Sequence, residues 1–231
     1  MNAFPWLSLI TLVPLLGALC LVGLRAEEAK LARGLALGFS LLALALVALL
    51  WRHFQPALGG LQFEERHLWI PTLGVEYHLG VDGLGLLMLS LSVIVVPMSI
   101  LASWKIQERA PLYFTLVLLL QAGLFGTFTA QNFFHWFIFW ELSLVPAFFL
   151  IKLWGGPQRT EAATQFFVYT MAGSIALLLT FLALFWATHT FDFGELARMG
   201  RDGSLTTQLS SALGWRDLTT RRLAVVIFAG A

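Results

Sequence analysis

Six apolar stretches, at residues 4–24, 31–51, 80–103, 111–131, 133–154 and 163–187, are each long enough to cross a bilayer as a helix. Lipid offers no partner to a backbone N–H or C=O, so such runs must close their hydrogen bonds internally. The reading is an all-α, polytopic transmembrane helix bundle, one domain over residues 1–231, with extramembrane loops at 52–79 and 188–222. Charged residues make up only 12% of the chain, where a soluble domain carries roughly a quarter. The net charge of +1 and the lack of a basic run exclude a nucleic-acid partner. With Cys20 as the single cysteine there is no disulfide framework, and no spacing suggests metal ligands.

The first stretch lacks the charged start and small-residue cleavage site of a signal peptide, so it is read as a retained helix. Only Gln131 and Asn132 separate the fourth and fifth stretches, which predicts a tight antiparallel pair. A seventh, partial span starts near 221, its apolar part running Leu223–Ala231; nine residues cannot cross as a helix, so the chain reads as the front of a longer protein. Short loops after the first, third and fifth helices hold Arg25, Lys30, Arg33, Lys105, Arg109, Lys152 and Arg159, which places that face in the cytoplasm and the amino terminus outside. The 188–222 loop, with five arginines, runs against the count but is long and late.

Against this apolar background Glu141 stands alone. The segment Phe133–Ile151 puts its carboxylate about 12 Å from the start of the run, near the middle of a hydrocarbon core of about 30 Å. A charge there costs about 2.5–3.5 kcal/mol on insertion scales, so the residue must pair, protonate or conduct. Either a proton relay or a buried hydrogen bond between helices fits, and the relay is the preferred reading. Pro146 removes a backbone donor toward Leu142 and predicts a kink beside the carboxylate, where water finds free carbonyls. Phe134, Ile138, Glu141 and Val145 share one mostly apolar face, so partners must come from other helices.

Other polar residues divide by depth. His135 lies among aromatics at the outer end, where packing is the expected role. Asp82 stands where a helix should begin and reads as its cap. Lys152 follows Glu141 by three helical turns and reaches the cytoplasmic interface. Thr164, Gln165, Tyr169, Thr170 and Ser174 suit either a water chain or helix-to-helix bonding. In the loops, Leu61–Glu64, Trp69-Ile70 and Val75–Leu79 alternate as the strands of a surface hairpin would, an irregular interfacial loop being the alternative. Phe193–Met199 suits a short interfacial helix.

Four stretches resemble one family: Tyr77-His78-Leu79-Gly80-Val81-Asp82-Gly83-Leu84; Phe137-Ile138-Phe139-Trp140-Glu141-Leu142-Ser143-Leu144-Val145-Pro146; Leu150-Ile151-Lys152-Leu153-Trp154-Gly155; and Ala162-Ala163-Thr164-Gln165-Phe166-Phe167-Val168-Tyr169-Thr170. From about residue 60 to its end the chain is similar to the antiporter-like subunits of respiratory complex I, most of all to subunit M (chain 4) of NADH-quinone oxidoreductase, of which it resembles the N-terminal portion. The resemblance implies a proton-translocating membrane subunit coupling NADH oxidation and quinone reduction to proton movement. It implies Glu141 as the relay and coupling carboxylate, with Pro146, Lys152, Gln165 and Tyr169 in support. In the family that Glu pairs with a lysine on a later, broken helix, beyond Ala231 here, and Gln165 stands where a lysine is common. No cofactor or metal is expected in this chain; NADH, FMN, iron–sulfur clusters and quinone belong to partner subunits. The implied partners are other membrane-arm subunits and the lipid of a bacterial inner membrane, with the amino terminus periplasmic. A subunit of a Mrp-type cation/proton antiporter, or a non-conducting membrane scaffold, are the alternatives.

Overall fold

The computed structural model describes residues 4–73 and 75–214. The partial seventh span and the end of the second loop, 215–222, lie outside the described residues. Among the described residues are eight α-helices, α1 (Trp6–Val22), α2 (Ala29–His53), α3 (Gly83–Ala102), α4 (Ala110–Thr129), α5 (Phe133–Trp154), α6 (Arg159–Thr188), α7 (Phe193–Asp202) and α8 (Ser204–Leu213), and one hairpin, β1 (Gln62–Ile70) and β2 (Val75–Val81). Helices α2 to α6 are long and apolar enough to cross a membrane. Helix α1, with 17 residues, rises roughly 26 Å and sits at the short end of the spanning range.

The third apolar stretch, expected to turn helical from residue 80, does so only at Gly83. Val75–Val81 pairs antiparallel with β1 in a register that sets Arg66 opposite His78 and Leu68 opposite Glu76, so residues 80 and 81 belong to the sheet. Asp82 then caps α3, its Oδ1 accepting from the Gly85 N–H at 2.7 Å. Helix α6 starts at Arg159, a turn earlier than residue 163, and Glu161 and Ala162 in that turn are good helix formers.

The hairpin also finishes α1. Pro5 offers no side-chain cap, and the first amides of α1 need acceptors. Glu65, buried in β1, accepts from Leu7 N–H at 2.6 Å and Ser8 N–H at 3.2 Å, and takes the Ser8 hydroxyl as well. A carboxylate at the positive end of a helix is favoured on charge as well as hydrogen bonding. Ser8 in turn bonds Tyr77 Oη at 2.7 Å, tying both strands to the helix.

Helices α1 to α4 build the core as two apolar clusters stacked along the helices. Leu7, Ile10, Ala43, Val47, Leu89, Val93 and Phe125 form the one beside the hairpin. Ala18, Leu21, Ala32, Ala36, Val96, Ile100 and Leu118 form the other. Helix α4 is the most enclosed span, whereas α5 and α6 keep most of their apolar surface uncovered by the described residues.

A three-way clasp joins the end of α4 to the starts of α5 and α7. Gln131 N–H donates to the His78 carbonyl, Phe133 N–H to Phe191 and Phe193 N–H to Gln131. His78, buried in β2, sets Nδ1 at 2.7 Å from Asp192 Oδ2 and Nε2 at 3.2 Å from Glu64 Oε2. The Asp192 hydrogen bond raises the His78 pKa above its ordinary 6.5, against burial and the Arg66 charge, while Glu64 adds to the rise. Burial pushes Asp192 up, but the His78 hydrogen bond, the Glu195 N–H and nearby positive charge prevail and hold it below 3.8.

The pH response follows from these directions. His78 contributes fully below about 6.5 and its contribution is lost as pH rises through the folded value. Asp192 contributes above about 3.8 and gives way only as pH falls through its lower folded value. Amide exchange in β2 and the start of α7, corrected for intrinsic rates, is therefore expected to speed up as pH rises from about 6 to about 9. In His78→Ala the protection should be lower, by about 1–3 kcal/mol, and flat across that range.

Candidate functional site

Helix α5 is placed by its two faces. Its amino end is capped by Asn132, whose Oδ1 accepts from Phe134 N–H at 3.0 Å. One face meets α4 where glycines leave room: a methyl group at Gly123 would sit 2.9 Å from Ser143 Cβ, and one at Gly126 would overlap the Phe139 ring. Another face carries aromatic residues against α6. Phe133 stacks on Phe181 at 3.7 Å between centroids, Phe148 lies 5.2 Å from Phe167, and Trp140 Nε1 donates to Ser174 Oγ at 3.3 Å.

Glu141 emerges between the α6-facing residues and the uncovered side. Ile138 and Val145, one turn before and after it, are 40% and 47% exposed. The carboxylate is half-buried, and its Oε1 is enclosed without a hydrogen-bond partner among the described residues. Of the face shared by Phe134, Ile138, Glu141 and Val145, Phe134 packs on Trp69 of the hairpin and Ile138 lines a groove opposite Ser8, Thr11 and Leu12 of α1, while Val145 is exposed.

The predicted supporting residues do not converge on it. Pro146 is buried in an α5 that runs unbroken through it, and no interruption of the helix marks the expected kink. It still leaves the Leu142 carbonyl, one residue from Glu141, without its intrahelical donor. Lys152 lies at the other end of α5, its Nζ 5.2 Å from the Phe148 ring centroid. Gln165 and Tyr169 are on the uncovered side of α6, Tyr169 at 76% exposure. Of the α6 polar set, Ser174 makes the helix-to-helix bond and Thr164 returns to its own backbone at Thr160.

His135 is buried in aromatic packing, edge-on to Tyr77 at 4.9 Å and stacked on Phe139 at 4.7 Å. Sequence reasoning passed over Glu65, the His78–Asp192 pair and Gln121, the last fully buried in α4 with both amide atoms unpartnered. Gln121 was findable: a lone amide in a 20-residue apolar helix carries the same signal, in weaker form, as a lone acid.

Residues 130–215 match the family model described as NADH:quinone oxidoreductase/Mrp antiporter, transmembrane. Over 214 residues the chain is 38% identical to NAD(P)H-quinone oxidoreductase chain 4 of Synechococcus elongatus, covering 92% of this chain and 40% of that relative. It is 39% identical over 199 residues to F(420)H(2) dehydrogenase subunit M of Methanosarcina mazei, covering 83% and 40%. A chain of respiratory complex I from Thermus thermophilus superposes with a TM-score of 0.72 at 26% identity, over 97% of this chain and 42% of that one. The chain thus spans about two fifths of the length of the curated relatives it matches.

Proposed function

We propose that this chain, whose residues 130–215 match the NADH:quinone oxidoreductase/Mrp antiporter family model, is part of a proton-translocating subunit of a complex I-type oxidoreductase. The observation that carries the reading is Glu141: an acid in the middle of a spanning helix, with one oxygen enclosed and unpartnered, on a face that the described helices leave uncovered. A fixed structural acid would be bonded; a carrier needs a partner that comes and goes. In this reading the complete protein, of which relatives show more than twice this length, supplies that partner as a cation on a helix covering the Glu141 face.

Glu141 loses its proton when that cation approaches and regains it, by way of water, when the cation withdraws. The Leu142 carbonyl freed by Pro146 is an acceptor for such water, while Gln165 and Tyr169 lie on the side of α6 turned away from α5, where they serve a different neighbour. Lys152 holds the cytoplasmic end of α5 at the headgroups, with the amino terminus of the chain on the periplasmic side of a bacterial inner membrane. Flavin, iron–sulfur clusters and quinone chemistry belong to partner subunits, and this chain holds no redox centre.

The family description also covers Mrp antiporters, so a cation/proton antiporter subunit is the second reading. Purification of the complete protein from its own membranes separates the two. Flavin- and iron–sulfur-containing subunits with NADH- or related donor:quinone activity are expected to copurify. Small antiporter subunits with no flavin would overturn the oxidoreductase assignment.

A further inference from the structure

Where the two apolar clusters of the α1–α4 core meet, the packing is interrupted by a polar layer. Ser40 lies one turn from Ala36 and from Ala43 on α2, Ser92 between Leu89 and Val96 on α3, and Gln121 between Leu118 and Phe125 on α4. In each case one neighbour belongs to the hairpin-side cluster and the other to the second cluster. The three residues therefore share one level, near mid-span on three helices that pack on one another.

All three are sealed inside the described chain: Ser40 and Gln121 are 0% exposed and Ser92 5%. Yet Ser40 Oγ, Ser92 Oγ, Gln121 Oε1 and Gln121 Nε2 have no hydrogen-bond partner among the described residues. The hydroxyls are unusual for their setting. Ser90, Ser99, Thr115 and Thr129, on the same helices α3 and α4, each donate to the carbonyl four residues back. Ser40 and Ser92 do not take that route. Two buried prolines add acceptors at this level, since Pro14 and Pro97 bring no N–H to the carbonyls of Ile10 and Val93, both in the hairpin-side cluster.

We infer that the Ser40–Ser92–Gln121 layer is an internal water-binding site, holding ordered water that bridges α2, α3 and α4. Gln121 decides the class of ligand. Its amide presents an unpartnered donor and an unpartnered acceptor, and water, with two donors and two acceptors, answers both while still bonding two hydroxyls. A cation held by the hydroxyls and Oε1 would leave the Nε2 hydrogens turned toward a like charge. A side chain from a further helix is excluded by the zero exposure of Gln121 and Ser40. The site lies apart from Glu141: Gln121 precedes Gly123, which faces α5, by about 200° of helical turn. It stands whether or not the chain translocates protons.

Radiolytic labelling of the complete protein in its native assembly, in oxygen-18 water, tests this. Oxygen incorporation at Leu118, Phe125 and Val93, next to the layer, is expected several-fold above that at Ile100, equally buried but away from it. Labelling should fall to the Ile100 level in Gln121→Met and, as a second variant of smaller volume change, in Ser40→Ala. Labelling at those three residues no higher than at Ile100 in the unsubstituted protein would overturn the assignment, irrespective of how the variants fold. So would labelling that persists unchanged in both variants once assembled.

Discussion

In the assembled complex, Glu141→Gln is expected to cut proton translocation on the order of a hundredfold or to background, with assembly intact. Gln keeps the volume of Glu and its capacity to hydrogen-bond, so any interhelical bond made by the carboxyl in the complete protein is retained in kind. What disappears is the exchangeable proton. The structure makes the substitution gentle: Glu141 Oε1 has no partner among the described residues, so no bonded donor there is orphaned.

The readout is the ratio of protons moved to electrons passed in sealed vesicles, measured beside the amount of intact complex. A fall in that ratio at normal complex levels fits a relay. Wild-type stoichiometry would remove Glu141 from the proton path, and loss that tracks failed assembly would favour the scaffold reading. Glu141→Asp, which keeps the acid but withdraws it by one methylene, should fall between the two.

The helices were legible because lipid permits little else: a 20-residue apolar run has to be a helix, and α5 matches the expected 133–154 at both ends. Asp82 was legible as a cap because capping is local, three residues from acid to amide. Glu65 was not, since the amides it serves lie 58 residues away on α1, and a glutamate in an alternating strand carries no sign of its target. His78 and Asp192 are separated by 114 residues and met only when the hairpin, the α4–α5 turn and α7 came together. For Lys152, Gln165 and Tyr169 the sequence supplied chemistry and depth but not helix rotation. Rotation depends on which face of α6 packs on α5, and Phe167, Ser174 and Phe181 define it, not Gln165 and Tyr169. Helix α8 went unforeseen because Ser204–Leu213 mixes apolar residues with Ser and Thr, which compete with the helix by bonding locally.

Bulk at the α4–α5 seam should do the greatest structural damage, with Gly126→Leu the most severe case. A Cβ at Gly126 would already overlap the Phe139 ring, and that ring cannot swing freely because it stacks on His135 at 4.7 Å. Three more carbons then force the helices apart, and overpacking of this kind costs about 1–3 kcal/mol, or more where the backbone must shift. Separation would begin next to Gly123, against Ser143, and carry α5 and Glu141 with it. Gly126→Leu is therefore expected to lower the thermal inactivation midpoint and the yield of assembled complex together. Adding Phe139→Ala should recover part of both, because the clash is specific to that ring. Gly34→Ala supplies the contrast: nothing stands within 4 Å of its added Cβ. Replacing a helical glycine there should be neutral or stabilising by up to about 1 kcal/mol. If Gly126→Leu were as benign as Gly34→Ala, or Phe139→Ala gave no recovery, the close α4–α5 approach that positions the carboxylate would be wrong.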